Sequence, residues 1–286
     1  MPDPSLQSSE HLRRRDYGDD LAAMLSQIAA RRQALCPTAE LRESWQMLLE
    51  GLCKHSPAPE QIWCLGIGPF SHRASVYQWA LLQEFQHALE AYHNRSVPLT
   101  VYDPQFESRD IALVKALGAH LPPSNECGAY AFEHPTLIYM PHCPKELYEA
   151  VLRANWDRQR LQALVLCGNE LDMYYPHETI PCISRIASHV QSYPLPPMPT
   201  HVPGALNGAV QVFFSSLADV PLTSSIEDWS YQPAPRKTRT RARRARGTEQ
   251  HTSQPLSIDN PAFWCLPPTA PVGEEVLTTP VPDGPM

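Results

Sequence analysis

The sequence predicts an α/β fold of the Rossmann-like type, a mainly parallel sheet of about five strands with helices on both faces. Three observations predict it. A short apolar run, Ile62-Trp63-Cys64-Leu65, meets Gly66-Ile67-Gly68-Pro69 and then a long helical pattern, the order of strand, tight turn and helix start. Further apolar runs at 99–102, 136–140 and 163–167 alternate with stretches of helical periodicity. Each of these runs ends in turn chemistry: Asp103-Pro104, Pro141-His142-Cys143-Pro144 and Gly168-Asn169.

Taken in order, residues 1–18 read as a disordered N-terminus, 19–222 as the folded domain and 223–286 as a disordered, proline-rich tail. Leu21, Met24, Leu25 and Ile28 fall on one helical face, and Pro37 ends that helix. A second helix carries Leu41, Trp45, Leu48, Leu49 and Leu52. After the first strand, Pro69 suits the first turn of a helix running from Ser71 to Arg95, with Tyr77, Leu81, Phe85, Ala88 and Tyr92 as its buried stripe. Leu99-Thr100-Val101-Tyr102 is the second strand. Ile111, Leu113, Val114 and Leu117 form a short helix stopped by Gly118. The segment 121–132 leaves room for an extra short strand. Thr136–Met140 is the third strand, Leu147 to Trp156 the next helix, Ala163–Cys167 the fourth strand and Val210–Phe214 the last.

The chain has 286 residues, 43% of them hydrophobic and 19% charged, enough to bury a core. Its net charge of -7 and pI near 5.9 argue against wholesale binding to nucleic acid or membrane. The 8 cysteines form no C-x-x-C pair, and the N-terminus is charged without an apolar signal core. No stretch approaches the roughly twenty apolar residues of a membrane span. The expectation is an intracellular protein, cytoplasmic and nuclear, with reduced thiols and no membrane partner.

In an open parallel sheet, the ligand crevice lies beyond the carboxyl ends of the strands. The turn residues Gly66, Gly68, Pro69, Ser71, Asp103, Pro141, His142, Cys143, Gly168 and Asn169 would then share one rim. A carboxylate, an imidazole, a thiol and an amide there suit a polar small molecule, with Asp103 placed where many such folds hold a ribose hydroxyl. The alternatives are structural. Glycines after strands are turns, Asp before Pro starts a turn, and Asn169 can cap the next segment. No Walker, H-E-x-x-H, G-x-S-x-G or zinc-deaminase pattern is present, so no catalytic residue and no metal site is assigned. Cys143-Pro144 and Cys36-Pro37 permit a haem hypothesis, with a thiolate as axial ligand. A nucleotide-like ligand is the other cofactor such a rim allows.

Cys64 to Ser71, Val101-Tyr102-Asp103-Pro104, Pro135 to Cys143 and Gly168-Asn169, in that order, resemble the blocks of the Sensitivity to Red Light Reduced family, the SRR-like domain. Met140-Pro141-His142-Cys143 is the most specific of them, and the resemblance runs from about Leu41 to Phe214. Glu170 stands where the family usually has a small hydroxyl residue, and Asn207-Gly208-Ala209 where it tends to have Asn-Asp-Thr. The resemblance implies a regulatory role rather than a metabolic one. Plant members are linked to light signalling and circadian timing, animal members to haem biosynthesis and clock-gene expression, and a yeast member to microtubule-related phenotypes. An enzyme with a methyltransferase-like nucleotide cofactor and a pure protein-interaction module, with partners unknown, are the alternatives.

The tail holds one local exception to the acidic balance. Arg236, Lys237, Arg239, Arg241, Arg243, Arg244 and Arg246 carry seven positive charges with no acid among them. The run reads as a nuclear-import signal, a loose nucleic-acid contact or a solvated linker.

Overall fold

A computed structural model describes residues 21–35, 39–53, 56–174, 180–195 and 209–213. The expected disordered termini and the basic run at 236–246 lie outside the described residues. Helix α1 covers 21–35 and α2 covers Ala39–Cys53. Then come β1 (Gln61–Leu65), α3 (Arg73–His93), β2 (Leu99–Tyr102), α4 (Ser108–Ala116), β3 (Thr136–Met140), α5 (Lys145–Ala154), α6 (Arg158–Gln162), β4 (Leu164–Gly168), α7 (Pro181–Ile186), β5 (Val190–Pro194) and β6 (Ala209–Phe213).

The strands form a 6-stranded sheet in the order β2-β1-β3-β4-β6-β5. β1 to β4 are parallel, in registers such as Cys64↔Val101, Cys64↔Tyr139 and Tyr139↔Cys167. β6 runs antiparallel to both β4 and β5, so it is the reversed strand of an otherwise co-directional sheet.

Every residue of β3 and β4 is buried, as parallel strands covered on both faces must be. Alternation sorts their side chains into two cores. Leu137, Tyr139, Val165 and Cys167 join α1, α3 and α4 in one core, around Trp79, Phe85 and Phe106. Ile138, Met140, Leu164 and Leu166 face α5, α6 and α7, with Tyr148, Leu152 and Ile183. Helices therefore cover both faces.

Several elements depart from the sequence expectation. The helix after the glycine turn begins at Arg73 rather than Ser71, because the Pro69 carbonyl accepts the His72 N–H at 3.0 Å and closes a separate turn first. Its buried stripe passes through Leu89, leaving Ala88 half-buried and Tyr92 53% exposed. The segment 121–132 forms no strand. Only His120, just before it, makes an isolated bridge to Thr100. The helix expected to reach Trp156 breaks at Asn155, whose buried side chain is spent on Phe132 N–H and the Tyr130 and Val151 carbonyls. Asp157 then caps α6 by accepting the Arg160 N–H at 2.8 Å.

Strand β5 and helix α7 carry no clear signal in the sequence. β5 is a half-exposed edge strand ending in proline, so it lacks the apolar run that marks a central strand. Helix α7 is one short piece whose first N–H groups, Cys182 and Ile183, are each accepted by the buried Glu149 carboxylate at 3.0 Å. Cys53, Cys64, Cys143, Cys167 and Cys182 are free thiols. Cys127 is disulfide-bonded, which departs from the expectation of reduced cysteines.

Candidate functional site

The chain steps from β1 outward to β2 and returns past β1 to β3, so the strand order reverses between β1 and β3. That is the switch point at which open α/β sheets leave a crevice. Here the loop after β3 reaches across it: the Cys143 thiol donates to the Leu65 carbonyl at 3.2 Å, joining the carboxyl ends of β1 and β3.

On the β1–β2 side the glycine turn is held by acids. Gly66 and Gly68 have φ of 74° and 77°, the left-handed region where a side chain is strained, and a Cβ on Gly68 would meet Ser75 Oγ at 3.0 Å. The Gly68 N–H donates to Asp103 Oδ2 at 2.7 Å, and the Gln105 N–H donates to Asp103 Oδ1 at 2.8 Å. Asp110, fully buried at the start of α4, accepts the Phe70 N–H at 3.0 Å and the Glu107 N–H at 2.9 Å. No lysine or arginine faces Asp103 in any of these bonds. Burial raises its carboxyl to about 6, against the lowering effect of its two N–H donors and the nearby His72, while the Asp110 charge adds to the rise. Pro69 is half-buried in its turn and Ser71 is exposed.

On the β3–β4 side the loop is held by neutral groups. His142 is exposed and sits at φ 56°, unusual for a residue with a side chain, and its N–H donates to Asn169 Oδ1 at 3.0 Å. Asn169 Nδ2 donates to the Cys143 carbonyl at 3.1 Å and to the Tyr174 hydroxyl at 2.6 Å. The Tyr148 hydroxyl donates to the Met140 carbonyl and accepts the Asn169 N–H at 2.8 Å. Pro141 is buried beneath this loop. Gly168 is a packing glycine: a Cβ there would lie 2.6 Å from the Met140 carbonyl oxygen and would strike the Tyr148 hydroxyl. Burial pushes the Cys143 thiol well above its ordinary value, and the Asp103 charge pushes it further. A buried thiol that donates to a carbonyl is a poor axial haem ligand, and Cys36 lies outside the described residues.

Two bonded groups thus stand along the carboxyl ends of the strands: Gly68 with Asp103 on one side, and His142, Cys143 and Asn169 on the other, the Cys143 thiol reaching the Leu65 and Gly66 carbonyls, with Pro141 and Gly168 packed beside the second group. Asp103 does not project an open carboxylate; it clamps the glycine turn. Sequence reasoning missed Asp110, Tyr148 and Tyr174. Asp110 left a trace, since Glu107 and Asp110 stand at the reciprocal spacing of a helix-start capping pair. The tyrosines left none, because a buried aromatic on a helix reads as core. Among the described residues no group of three or more His, Cys, Asp or Glu side chains could hold a metal ion, and no helix is long and apolar enough to cross a membrane.

A family model described as the SRR1 domain matches residues 38–264. The chain belongs to the SRR1 family. An SRR1-like protein of Drosophila melanogaster is 32% identical over 155 residues, covering 54% of each chain. An SRR1-like protein of Mus musculus is 36% identical over 108 residues, 37% of this chain and 42% of that one. The Arabidopsis thaliana protein SENSITIVITY TO RED LIGHT REDUCED 1 is 36% identical over 76 residues, 27% of this chain and 28% of its own length. This SRR1-family chain therefore spans about half the length of the Drosophila relative and less of the other two. Among solved structures, the S-adenosylhomocysteine-bound methyltransferase PaMTH1 of Podospora anserina is similar at a TM-score of 0.34 and 13% identity, over 67% of this chain and 87% of that one.

Proposed function

We propose that this SRR1-family chain is a regulatory protein that binds a small polar molecule or a partner at the rim joining β1 to β4. The supporting observation is His142. An exposed imidazole is held at a strained backbone angle by a dedicated side chain, Asn169, beside the switch point. Strain of this kind costs roughly 1–3 kcal/mol and concentrates where a fold presents a residue to a ligand. The setting we propose is signalling, with clock-gene expression or haem biosynthesis as the regulated process. The name of the Arabidopsis relative, which concerns red-light sensitivity, favours the signalling side.

A second reading is an enzyme using a nucleotide-like cofactor, with Asp103 near the ribose and His142 as acid–base. The exposure of His142 favours it, since the imidazole is within reach of a molecule that enters the rim. We also propose that the chain is both cytoplasmic and nuclear, with Arg236 to Arg246 as the import run. Deletion of that run should move a fluorescent fusion out of the nucleus.

Thermal-shift screening of the full chain against nucleotides, S-adenosylmethionine and haem tests the rim. A ligand that binds the folded state raises its melting temperature by mass action. The expected result is a stabiliser whose effect is lost in His142→Ala. Stabilisers unaffected by that change would refute the rim as a binding site, and turnover of the bound molecule would favour the enzyme.

A further inference from the structure

On the sheet face opposite α3 and α4, the cover over β1 and β2 is thinner than the cover over β3 and β4. Gln61, Trp63 and Thr100 are half-buried there, with Trp63 directly opposite Thr100 across the two strands, whereas every residue of β3 and β4 is buried. Among the described residues the rings against Trp63 are Tyr130 and Phe132, with centroids 4.7 and 5.2 Å away. Both belong to the stretch 121–135, which forms neither helix nor strand. Parallel strands are normally closed on both faces, so this patch is where further cover belongs.

The same stretch carries the disulfide-bonded Cys127. It stands half-buried at φ 54°, with Asn125 Oδ1 accepting its N–H at 2.9 Å. We propose that residues 258–265 dock on this patch, with Cys265 bonded to Cys127 and the Phe263-Trp264 pair against Trp63 and Tyr130. The patch lies on a face of the sheet, apart from the rim.

Cysteine arithmetic narrows the bond to two partners within the chain. Of the 8 cysteines, Cys53, Cys64, Cys143, Cys167 and Cys182 are free, which leaves Cys36 and Cys265 for Cys127. Position excludes Cys36. It follows Leu35, which is buried in the core shared with α3 and α4. Cys127 lies across the sheet from that core, because a Cβ on its neighbour Gly128 would meet Leu147 and Ala150 of α5. Bonded cysteines have Cα atoms within about 7 Å, whereas layers stack on a sheet at roughly 10 Å, so the two faces are out of reach of each other. Cys265 has no such restriction, since the connection from Phe213 is long enough to reach any point of the domain.

The sequence around Cys265 suits the patch. Between Arg236 and Gln254 the chain has no aromatic residue and no aliphatic one larger than alanine. Leu256, Ile258, Phe263 and Trp264 then restore apolar bulk just before Cys265. Phe and Trp bury large areas and gain further from edge or offset contact with other rings, which Trp63 and Tyr130 offer. The SRR1-domain match also runs past β6 to residue 264, so the family pattern includes this segment.

Disulfide mapping tests the bond on the full chain purified without reductant, its free thiols alkylated with iodoacetamide before digestion and mass spectrometry. The expected product is a linked peptide pair holding Cys127 and Cys265 in the monomer, with Cys127 alkylated in Cys265→Ser. Hydroxyl-radical footprinting tests the docking separately. Oxidation of Trp63 should rise severalfold in the Phe263→Ser/Trp264→Ser variant, while oxidation of the exposed Tyr92 on α3 stays as in wild type. A Cys127–Cys36 link, a link between two chains, alkylation of Cys127 in the wild-type chain, or unchanged Trp63 oxidation in the double variant would overturn the proposal. None of these results touches the rim reading, which stands or falls on the His142-dependent stabiliser.

Discussion

On the β1–β2 side of the rim, the glycine turn hangs from two buried carboxylates, Asp103 and Asp110. On the β3–β4 side, the Pro141–Cys143 loop hangs from Asn169, Tyr148 and Tyr174, none of which is charged at neutral pH. Both halves solve the same problem, which is how to satisfy backbone groups in irregular loops that sit against a buried sheet. They solve it at different cost. An ionised carboxylate without a cation is expensive to bury, and at Asp103 burial favours the protonated form. The neutral half holds its loop without a charged clamp and stores its strain in one backbone angle, at His142. The difference suggests a division of labour: a half whose grip varies with protonation, and a half that holds a side chain rigidly in place.

The sharpest way to break the neutral half is Gly168→Ala. A methyl group there collides with the Met140 carbonyl and the Tyr148 hydroxyl, and β4 cannot yield without disturbing β3. The expected loss is about 4 kcal/mol in a denaturant titration, with Tyr148→Phe recovering part of it. On the acidic half, Asp110→Ala strands the Phe70 and Glu107 N–H groups, and chemical unfolding should show a loss of about 3 kcal/mol.

Asp103 distinguishes the halves by pH. Its carboxyl rises from 3.8 when unfolded to about 6 when folded. A raised carboxyl contributes stability that is fully present below the unfolded value and lost as pH climbs through the folded one. Stability owed to Asp103 should therefore fall between about pH 4 and pH 7, by on the order of 2–3 kcal/mol. Wild-type and Asp103→Asn unfolding curves measured across that window should differ by this slope, whereas Asn169→Asp and wild type should not differ in the same direction. The smallest effect is expected at His142→Gly. Removing the side chain relieves the left-handed angle and should raise stability by roughly 0.5–1 kcal/mol, while the thermal-shift response to ligand disappears. An unchanged ligand response would make the strain merely structural.

Much of this architecture was legible in the chain itself. β2 and β3 stand where apolar runs bounded by turn residues place them, β1 starts one residue earlier and β4 is shifted by one residue at both ends. Asp103, His142 and Asn169 converge because parallel topology requires it. The features that were not legible depend on partners far apart in sequence. Nothing local marks Asp103 as a clamp, since its donor is Gly68, nor Gly168 as a packing site, since the obstacle is Tyr148. β5 stayed hidden because an edge strand half in solvent needs no apolar run. Its pairing with β6 is decided across a long connection rather than by its own residues.

The most direct measurement is amide hydrogen exchange on the full chain, with and without the strongest stabiliser found in the screen. Added protection is expected to concentrate at 66–71, 103–106 and 141–143, with little change along α2 and the face of α3 beside it. Protection confined to those helices, with the three rim segments unchanged, would contradict a binding site at the rim.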